Sequence, residues 1–303
     1  MLTKIAVVIP TYNFAGGLER AISSALHQSR PPSEVIVVDD GSTDDTRSAV
    51  RQFGGSVRYV YQPNSGAAAA RNRGVAESTA EWIAFLDHDD TWVREKLELQ
   101  SRAIEEARGC AFSYTGLVSH REGASSVIVP PAPNQLMPRL RYSNVLGPTS
   151  TYMVMRTAFW AVGGFTEALR SSCEDWDLIM RLRGQCQFAI APAPLTHYFD
   201  RTQSTSRKHA LMFRSEMSIV ESSLLLGLDG WPRKLARRRA HSCIYSRLAV
   251  GARTERLASL RNLGKSLALW PFPNLPGKRY RMLAVELRDA LQKVLLSGTS
   301  TLT

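Results

Sequence analysis

"WIAFLDHDDTW", residues 82–92, carries four large apolar side chains, Trp82, Ile83, Phe85 and Leu86, straight into Asp87, Asp89 and Asp90. A run of that kind reads as a buried strand, and a buried strand end cannot leave three like charges unpaired without cost. Either water solvates them in an ordinary turn or something positive sits there. The preceding sequence repeats the arrangement. "KIAVVIP" (4–10), "EVIVVDD" (34–40) and "VRYVYQ" (57–62) are further strands, and the four run into "PTYN" (10–13), "VDDGS" (38–42), "QPNSG" (62–66) and "LDHDD" (86–90).

Between these strands lie helical patterns: "GGLERAISSALHQ" (16–28), "STDDTRSAVRQF" (42–53) and the Ala-rich "GAAAARNRGVAES" (66–78). Strands alternating with helices of this length predict an α/β fold with a mainly parallel sheet covered on both faces. In such sheets ligands bind beyond the carboxyl ends of the strands, which here are the four polar ends. Past residue 110 the pattern changes. "CAFSYTGLVS" (110–119) and "STYMVMR" (150–156) read as strands, with a Pro-rich loop through 129–138. "EDWDLIMRLRG" (174–184) reads as a helix closed by Gly, and "CQFAIAPAP" (186–194) as a last strand. On that helix Asp175, Leu178, Ile179 and Leu182 share a face, so Asp175 is expected to point inward.

A chain of 303 residues suits about two domains and a full core. The expected division is 1–205, in which the pattern changes between 1–108 and 109–205, followed by a basic helical region, 206–303. Residues 201–303 hold 19 Lys and Arg against 6 Asp and Glu, while the first 200 hold 19 against 21, so the net charge of +11 resides in the last third. Cys110, Cys173, Cys186 and Cys243 are scattered without a C-x-x-C pair, which speaks against a zinc site and a disulfide framework and for a reducing cytoplasm. No stretch of about 18 apolar residues appears, and "MLTKIAVVIP" enters a strand pattern with no signal-peptide pattern before it.

Five stretches in order, "VVIPTYN", "EVIVVDDGSTDDT", "NSGAAAARNRG", "WIAFLDHDD" and "EDWDLIMRLRG", resemble the inverting glycosyltransferases of family 2, which have a GT-A fold. The resemblance covers about residues 4–205. It implies a nucleoside-diphosphate-sugar donor, with Mn2+ or Mg2+ held by carboxylate oxygens against the diphosphate. Asp89 becomes the metal ligand, with Asp87 supporting it or holding the donor ribose. Asp90 can equally cap the following helix. Asp40 is placed on the uracil ring, while Asp39 and Ser42 are read as either site or turn residues. Pro10, Tyr12 and Asn13 open the nucleotide pocket, where the Tyr12 ring can stack on the base. Asn64, Gly66 and Arg71 line the donor site, and "NSGAAAARN" is neither a dinucleotide fingerprint nor a P-loop. Asp175 takes the role of general base, its helix N-terminus favouring the ionised form. Glu174 is read as an acceptor contact and Trp176 as a platform for the sugar ring.

After the last strand the resemblance loosens. In "HYFDRTQSTS" (197–206), Arg201 stands where the family often has a His; it can neutralise a diphosphate but cannot ligate a metal, and His197 is the alternative. Arg233, Lys234, Arg237 and Arg238 share one helical face, read either as solvated or as a contact for an anionic membrane surface. The expectation is a cytoplasmic enzyme, peripheral on the inner membrane face, that transfers a sugar from a UDP-sugar to a saccharide or lipid-linked acceptor in surface polysaccharide or glycolipid synthesis. No nucleic-acid partner is expected, and a homodimer through the helical tail is compatible with the sequence. The alternatives are a nucleotidyltransferase and a non-catalytic membrane- or nucleic-acid-binding protein that keeps a silent transferase domain.

Overall fold

The computed structural model describes residues 4–121, 123–169, 172–200, 209–225, 228–251 and 256–272. The chain divides into two compact units, Met1–Leu140 with Asn144–Thr205, and Arg141–Ser143 with Ser206–Thr303.

In the first unit β1 (Ile5–Thr11), α1 (Ala15–Leu26), β2 (Glu34–Asp39), α2 (Thr46–Arg51), β3 (Arg58–Tyr61), α3 (Ala67–Glu77) and β4 (Trp82–Phe85) follow the alternation expected from periodicity. Strand β1 is buried along its whole length, as a strand covered on both faces must be. Ile5, Val7 and Ile9 meet Leu18, Ile22 and Ala25 of α1 in the main core, while Ile36, Val38, Val60 and Ala70 form a second cluster. The small residues of α3 let that helix approach closely: a Cβ at Gly74 would lie 2.3 Å from Val8 Cγ1. Helix α2 is shorter than its sequence pattern because Asp44 withdraws the preceding residues into a polar turn. Its carboxylate accepts the backbone N–H groups of Ala15 (3.0 Å) and Thr46 (3.1 Å).

Next come β5 (Thr91–Trp92), α4 (Lys96–Glu106), β6 (Cys110–Arg121), β7 (Ala124–Ile128), α5 (Pro133–Leu140), β8 (Tyr152–Met155), α6 (Arg156–Ala161), α7 (Glu174–Leu182) and β9 (Gln187–Phe199). One sheet runs in the order β3-β2-β1-β4-β8-β6-β9-β5, with β7 paired to β6. Its β3-β2-β1-β4 half is parallel; β8 is antiparallel to both β4 and β6, and β9 is parallel to β6. The parallel sheet expected from the first hundred residues therefore becomes mixed beyond β4. Two local expectations are corrected. The Pro-rich segment holds helix α5, because Pro133 suits a first helical turn and Leu136 and Leu140, one turn apart, are fully buried. Strand β9 continues past Pro192 and Pro194 to Phe199, the register against β6 shifting at Gly116 where the prolines pass.

Lys96 is wholly buried, its Nζ 2.7 Å from Gln100 Oε1 and 4.1 Å from the Trp92 ring centre. Burial lowers its pKa from 10.5 to about 7. The unfolded chain binds the proton more tightly, so the cost is full below about pH 7 and fades as pH rises towards 10.5. Lys96→Met should stabilise the protein by about 1–3 kcal/mol at neutral pH, net of the unpaired Gln100 oxygen. Urea unfolding at neutral and alkaline pH checks this; a gain that does not shrink with rising pH would contradict a buried, titrating lysine.

In the second unit, α8 (His209–Ile219), α9 (Gly230–Gly251) and α10 (Arg256–Leu269) are described. Ser242 and Ser266 exchange side-chain-to-carbonyl bonds (2.8 and 2.7 Å), and Ser259 Oγ donates to the Ala249 carbonyl (3.0 Å), so α9 and α10 run antiparallel. The basic face of α9 is not simply solvated. Arg233 donates to the carbonyls of Leu225 and Leu228, Arg237 pairs with Glu221 at 2.6 Å, and Arg238 reaches the carbonyls that end α10. Three of the four basic residues thus also bond within the unit, Arg238 at a helix C-terminus that favours a cation, while Arg237 and Arg238 stay exposed. Among the described residues no helix is long and apolar enough to cross a membrane.

Candidate active site

The four polar strand ends lie along one edge of the sheet. At the β2 end two adjacent carboxylates do different work. Asp39 Oδ1 accepts the Ser42 N–H (2.8 Å) and Oδ2 the Tyr59 hydroxyl (2.6 Å). With Ser42, Thr43, Asp44, Arg47, Tyr59 and Tyr61 it lines a cavity of about 310 Å³. Asp40 is only 4% exposed, and both oxygens are engaged, by Gln62 Nε2 (2.7 Å) and the backbone N–H groups of Ser65 (2.9 Å) and Gly66 (2.8 Å). Asp40 thus ties down the 62–66 loop, while Asp39, itself only 1% exposed, sits in the cavity wall between Ser42 and Tyr59. Alternation along an extended chain sends neighbours to opposite sides. Gly66, at φ +94°, opens α3 in a conformation that L side chains rarely adopt, and Asn64 is exposed on the same loop.

Pro10 is buried inside β1, opposite Val38, and so lies in the sheet rather than on the cavity. Tyr12 is exposed. Asn13, also at positive φ (+48°), accepts the Thr43 N–H (2.8 Å) and donates its own N–H to Ser42 Oγ (2.9 Å), stitching the β1 end to the turn after β2.

At the β4 end the acids find their positive partner. Arg71, from α3, donates Nη2 to Asp87 Oδ1 (2.6 Å) and Nη1 to Glu174 Oε1 (2.8 Å), over the face of Phe165. It is only 5% exposed. Burial pushes Asp87 up, but the guanidinium outweighs it and holds this carboxyl below its ordinary value. Thr149 Oγ1 also donates to Asp87, and Ser150 Oγ receives its N–H (3.0 Å). Asp90 is inside the protein, accepting Ser150 Oγ–H at 2.5 Å and the Phe199 N–H at 3.2 Å. Burial first, then the charges of Asp87 and Asp89, push it well up.

Asp89 is half-buried beside these groups. No trio of His, Cys, Asp or Glu converges among the described residues, so there is no preformed protein cage for a metal. One or two half-buried carboxylates, Asp89 and Asp87, are nonetheless a donor set that fits Mg2+ or Mn2+, which take hard oxygens and fill the remaining positions with phosphate and water.

Helix α7 begins after Cys173, which is itself in the left-handed region (φ +63°). Glu174 turns inward onto Arg71 and is buried, which corrects its reading as an acceptor contact. Trp176 is 1% exposed and donates its indole N–H to the Leu140 carbonyl (2.8 Å); it belongs to the core and offers no face to a sugar. Asp175 is the half-buried residue of the trio. Its Oδ1 accepts the Trp176 N–H (2.7 Å) and Oδ2 the Asn144 side-chain amide (2.6 Å). The helix terminus does not win here: burial and then the Glu174 charge push Asp175 up to about 7.

His197 lies on β9 with Nδ1 2.9 Å from His120 Nε2, and His120 stacks on Phe199. Burial and His120 lower its pKa. Arg201 lies outside the described residues. Sequence reasoning missed His120, Asn144, Thr149 and Ser150. Each bonds a residue that it did name or that residue's neighbour, from distant parts of the chain, and none stands in a motif.

The sequence profile described as "Glycosyl transferase family 2" matches residues 6–163, more than half of the chain. An uncharacterized glycosyltransferase of Haemophilus influenzae is 30% identical over 209 residues, 67% of this chain and 70% of that one. The chain belongs to glycosyl transferase family 2. Within this family it is also similar to the putative teichuronic acid biosynthesis glycosyltransferase TuaG of Bacillus subtilis, at 43% identity over 116 residues, 37% of this chain and 46% of that protein. The aligned region thus spans less than half of that relative, and 19% of an uncharacterized Rickettsia conorii glycosyltransferase that is 40% identical over 115 residues. Among solved structures, TarS 1-349 of S. aureus in complex with UDP-GlcNAc superposes with a TM-score of 0.65 at 19% identity, covering 88% of this chain and 81% of that one. That likeness carries the fold.

Proposed function

We propose that this family 2 protein is a metal-dependent inverting glycosyltransferase, which moves a sugar from a UDP-sugar to an acceptor hydroxyl in surface polysaccharide synthesis. The observation that carries the reading is the buried Arg71, which ties the acidic β4 end to the helix bearing Asp175. One ion-paired bridge holds a diphosphate-side carboxylate and a raised-pKa carboxylate in register. The TarS complex with UDP-GlcNAc and the TuaG name support the donor class and the polysaccharide setting.

In this reading Asp175 takes the proton of the acceptor hydroxyl. The acceptor oxygen forms its bond to the anomeric carbon on the face opposite the diphosphate, and the bond to the diphosphate oxygen breaks with its electron pair. Asp89 and Asp87 would hold Mn2+ or Mg2+, which when bound would supply positive charge against the leaving diphosphate. Tyr59, Tyr61 and Arg47 around Asp39 offer aromatic and hydrogen-bonding surface for the nucleoside.

Calorimetric titration with UDP, GDP and dTDP, each with and without Mn2+, tests the reading on the wild type and on Asp89→Asn. Manganese-dependent binding of UDP, weakened at least about tenfold in the variant, is expected from loss of a charged ligand. Absence of binding by any nucleotide to folded protein would overturn the reading and favour a silent domain.

A further inference from the structure

We propose that Asn144 is a positioning residue for the transfer reaction: its side-chain amide holds the Asp175 carboxylate in the orientation from which it accepts the proton. The inference rests on the reading of Asp175 as the base.

The amide is oriented by its surroundings. Nδ2 lies 2.6 Å from Asp175 Oδ2, 3.0 Å from the Tyr152 hydroxyl and 2.9 Å from the Gly147 carbonyl, and Oδ1 accepts the Leu146 N–H at 2.9 Å. The Tyr152 hydroxyl donates to the Gly147 carbonyl (2.7 Å), so towards Asn144 it presents a lone pair. A flipped amide would set its oxygen against a carboxylate, a carbonyl and that lone pair, and would leave the Leu146 N–H facing another donor. Only the unflipped orientation gives the Leu146 N–H its acceptor and turns donors towards the three oxygens, which share the two N–H groups of the amide.

Tyr152 is wholly buried on β8, so the anchor of Asn144 is rigid. Asp175 is then held at both oxygens, by Asn144 from the loop before β8 and by the Trp176 N–H in its own helical turn. Each carboxylate oxygen keeps a second lone pair for an acceptor proton. The charged and titratable groups that face Asp175 are Glu174 on its own helix, Arg71 from α3 and Tyr152 from β8. Glu174 opposes the ionised form, and Arg71 is already shared between two carboxylates. Asn144 supplies a donor that favours the ionised form without adding charge, which suits a base that must stay deprotonated yet remain basic.

The test is a carbon-13 titration of the aspartate carboxyls in the wild type, Asn144→Ala and Asn144→Asp, with the Asp175 signal identified by its loss in Asp175→Asn. Asn144→Asp keeps the acceptor for Leu146 and so preserves the turn if Asn144→Ala does not fold. The expected result is an Asp175 midpoint raised by about one unit in Asn144→Ala and by more in Asn144→Asp, as the ionised form loses its donor. A midpoint unchanged in both variants would overturn the proposal. The titration needs no substrate, so it decides the coupling by itself.

With a donor that supports turnover, kcat should fall about 10- to 100-fold at neutral pH with donor KM unchanged. The acid limb should move up with the midpoint, and alkaline pH should restore part of the rate. A fall in kcat with an unmoved limb and a raised KM would assign Asn144 to loop architecture alone and overturn the proposal. Full turnover by Asp175→Asn would instead overturn the reading of the base, which the titration does not touch.

Discussion

Asp175→Asn should lower turnover by about 10²- to 10⁴-fold, the usual contribution of a general base, while nucleotide affinity stays within about twofold. The substitution keeps the shape of the side chain but removes its capacity to take a proton. The groups proposed for the donor side, Asp40, Asp87 and Asp89, sit on other elements and lose no contact to it. In the wild type the rate should rise with pH through about 7, where Asp175 ionises in the folded protein. The same shift has a thermodynamic side. A carboxyl raised on folding contributes stability that is present at acid pH and is lost as pH rises through its folded value. Asp175→Asn should therefore melt higher than the wild type above neutral pH and show little advantage below the ordinary carboxylate range. Initial rates, calorimetry with UDP and thermal melts across pH check each part. Loss of nucleotide binding by a folded Asp175→Asn would count against its role as base.

The second large effect is expected at Arg71. Arg71→Met strips the partner from two carboxylates at once and should cost about 3–5 kcal/mol near neutral pH, the range for breaking a buried pair. Asp87 is held low by the guanidinium in the folded protein, so its share of stability is present above the ordinary carboxylate value and is lost as pH falls through the folded one. The gap between variant and wild type should thus narrow at acid pH, when Asp87 and Glu174 can take protons in the variant. Urea unfolding at neutral and acid pH measures both quantities; a cost below about 1 kcal/mol at neutral pH would mean that the bridge is solvated. Arg71→Lys should recover only part of the loss, since one ammonium cannot hold two carboxylates in the fork geometry of a guanidinium.

These two residues mark the boundary of what could be read from the chain. The alternation of β1 to β4 with α1 to α3 was legible because each element has its own period, and the periods of strand and helix are set by local backbone geometry. The acidic end of β4 was legible for the same reason: a buried strand that stops in carboxylates demands a compensating charge. The identity of that charge was not. Arg71 was read as a donor-site residue, and only the packing of α3 beside α7 turns it into a bridge across 103 residues of chain to Glu174.

Adjacent residues were where pattern reading went wrong. In "VDDGS" and "CEDWDL" the motif names a pair, yet it is the exit direction of the strand or the first helical turn that decides which member faces inward. Glu174 turned in onto Arg71 and left Asp175 half-buried at the site, whereas Asp39 and Asp40 are both buried and divide their bonds between the turn after β2 and the 62–66 loop. Trp176 was an attractive platform by composition, but helical spacing carried its ring into the core. Asn144 and Ser150 had no signal at all, because a hydrogen bond from a loop to a distant carboxylate leaves no periodicity behind it.

The sequence by itself determined the α/β alternation, the acidic strand ends, the helix that begins at Glu174 and the concentration of positive charge in the last third, since all of these follow from local propensity and composition. The tertiary structure alone decided which carboxylate of each pair is paired, which is raised and which is left to work. Those outcomes depend on burial and on charges brought within about 3 Å from remote parts of the chain, where desolvation and Coulomb terms outweigh anything that near neighbours in sequence can encode.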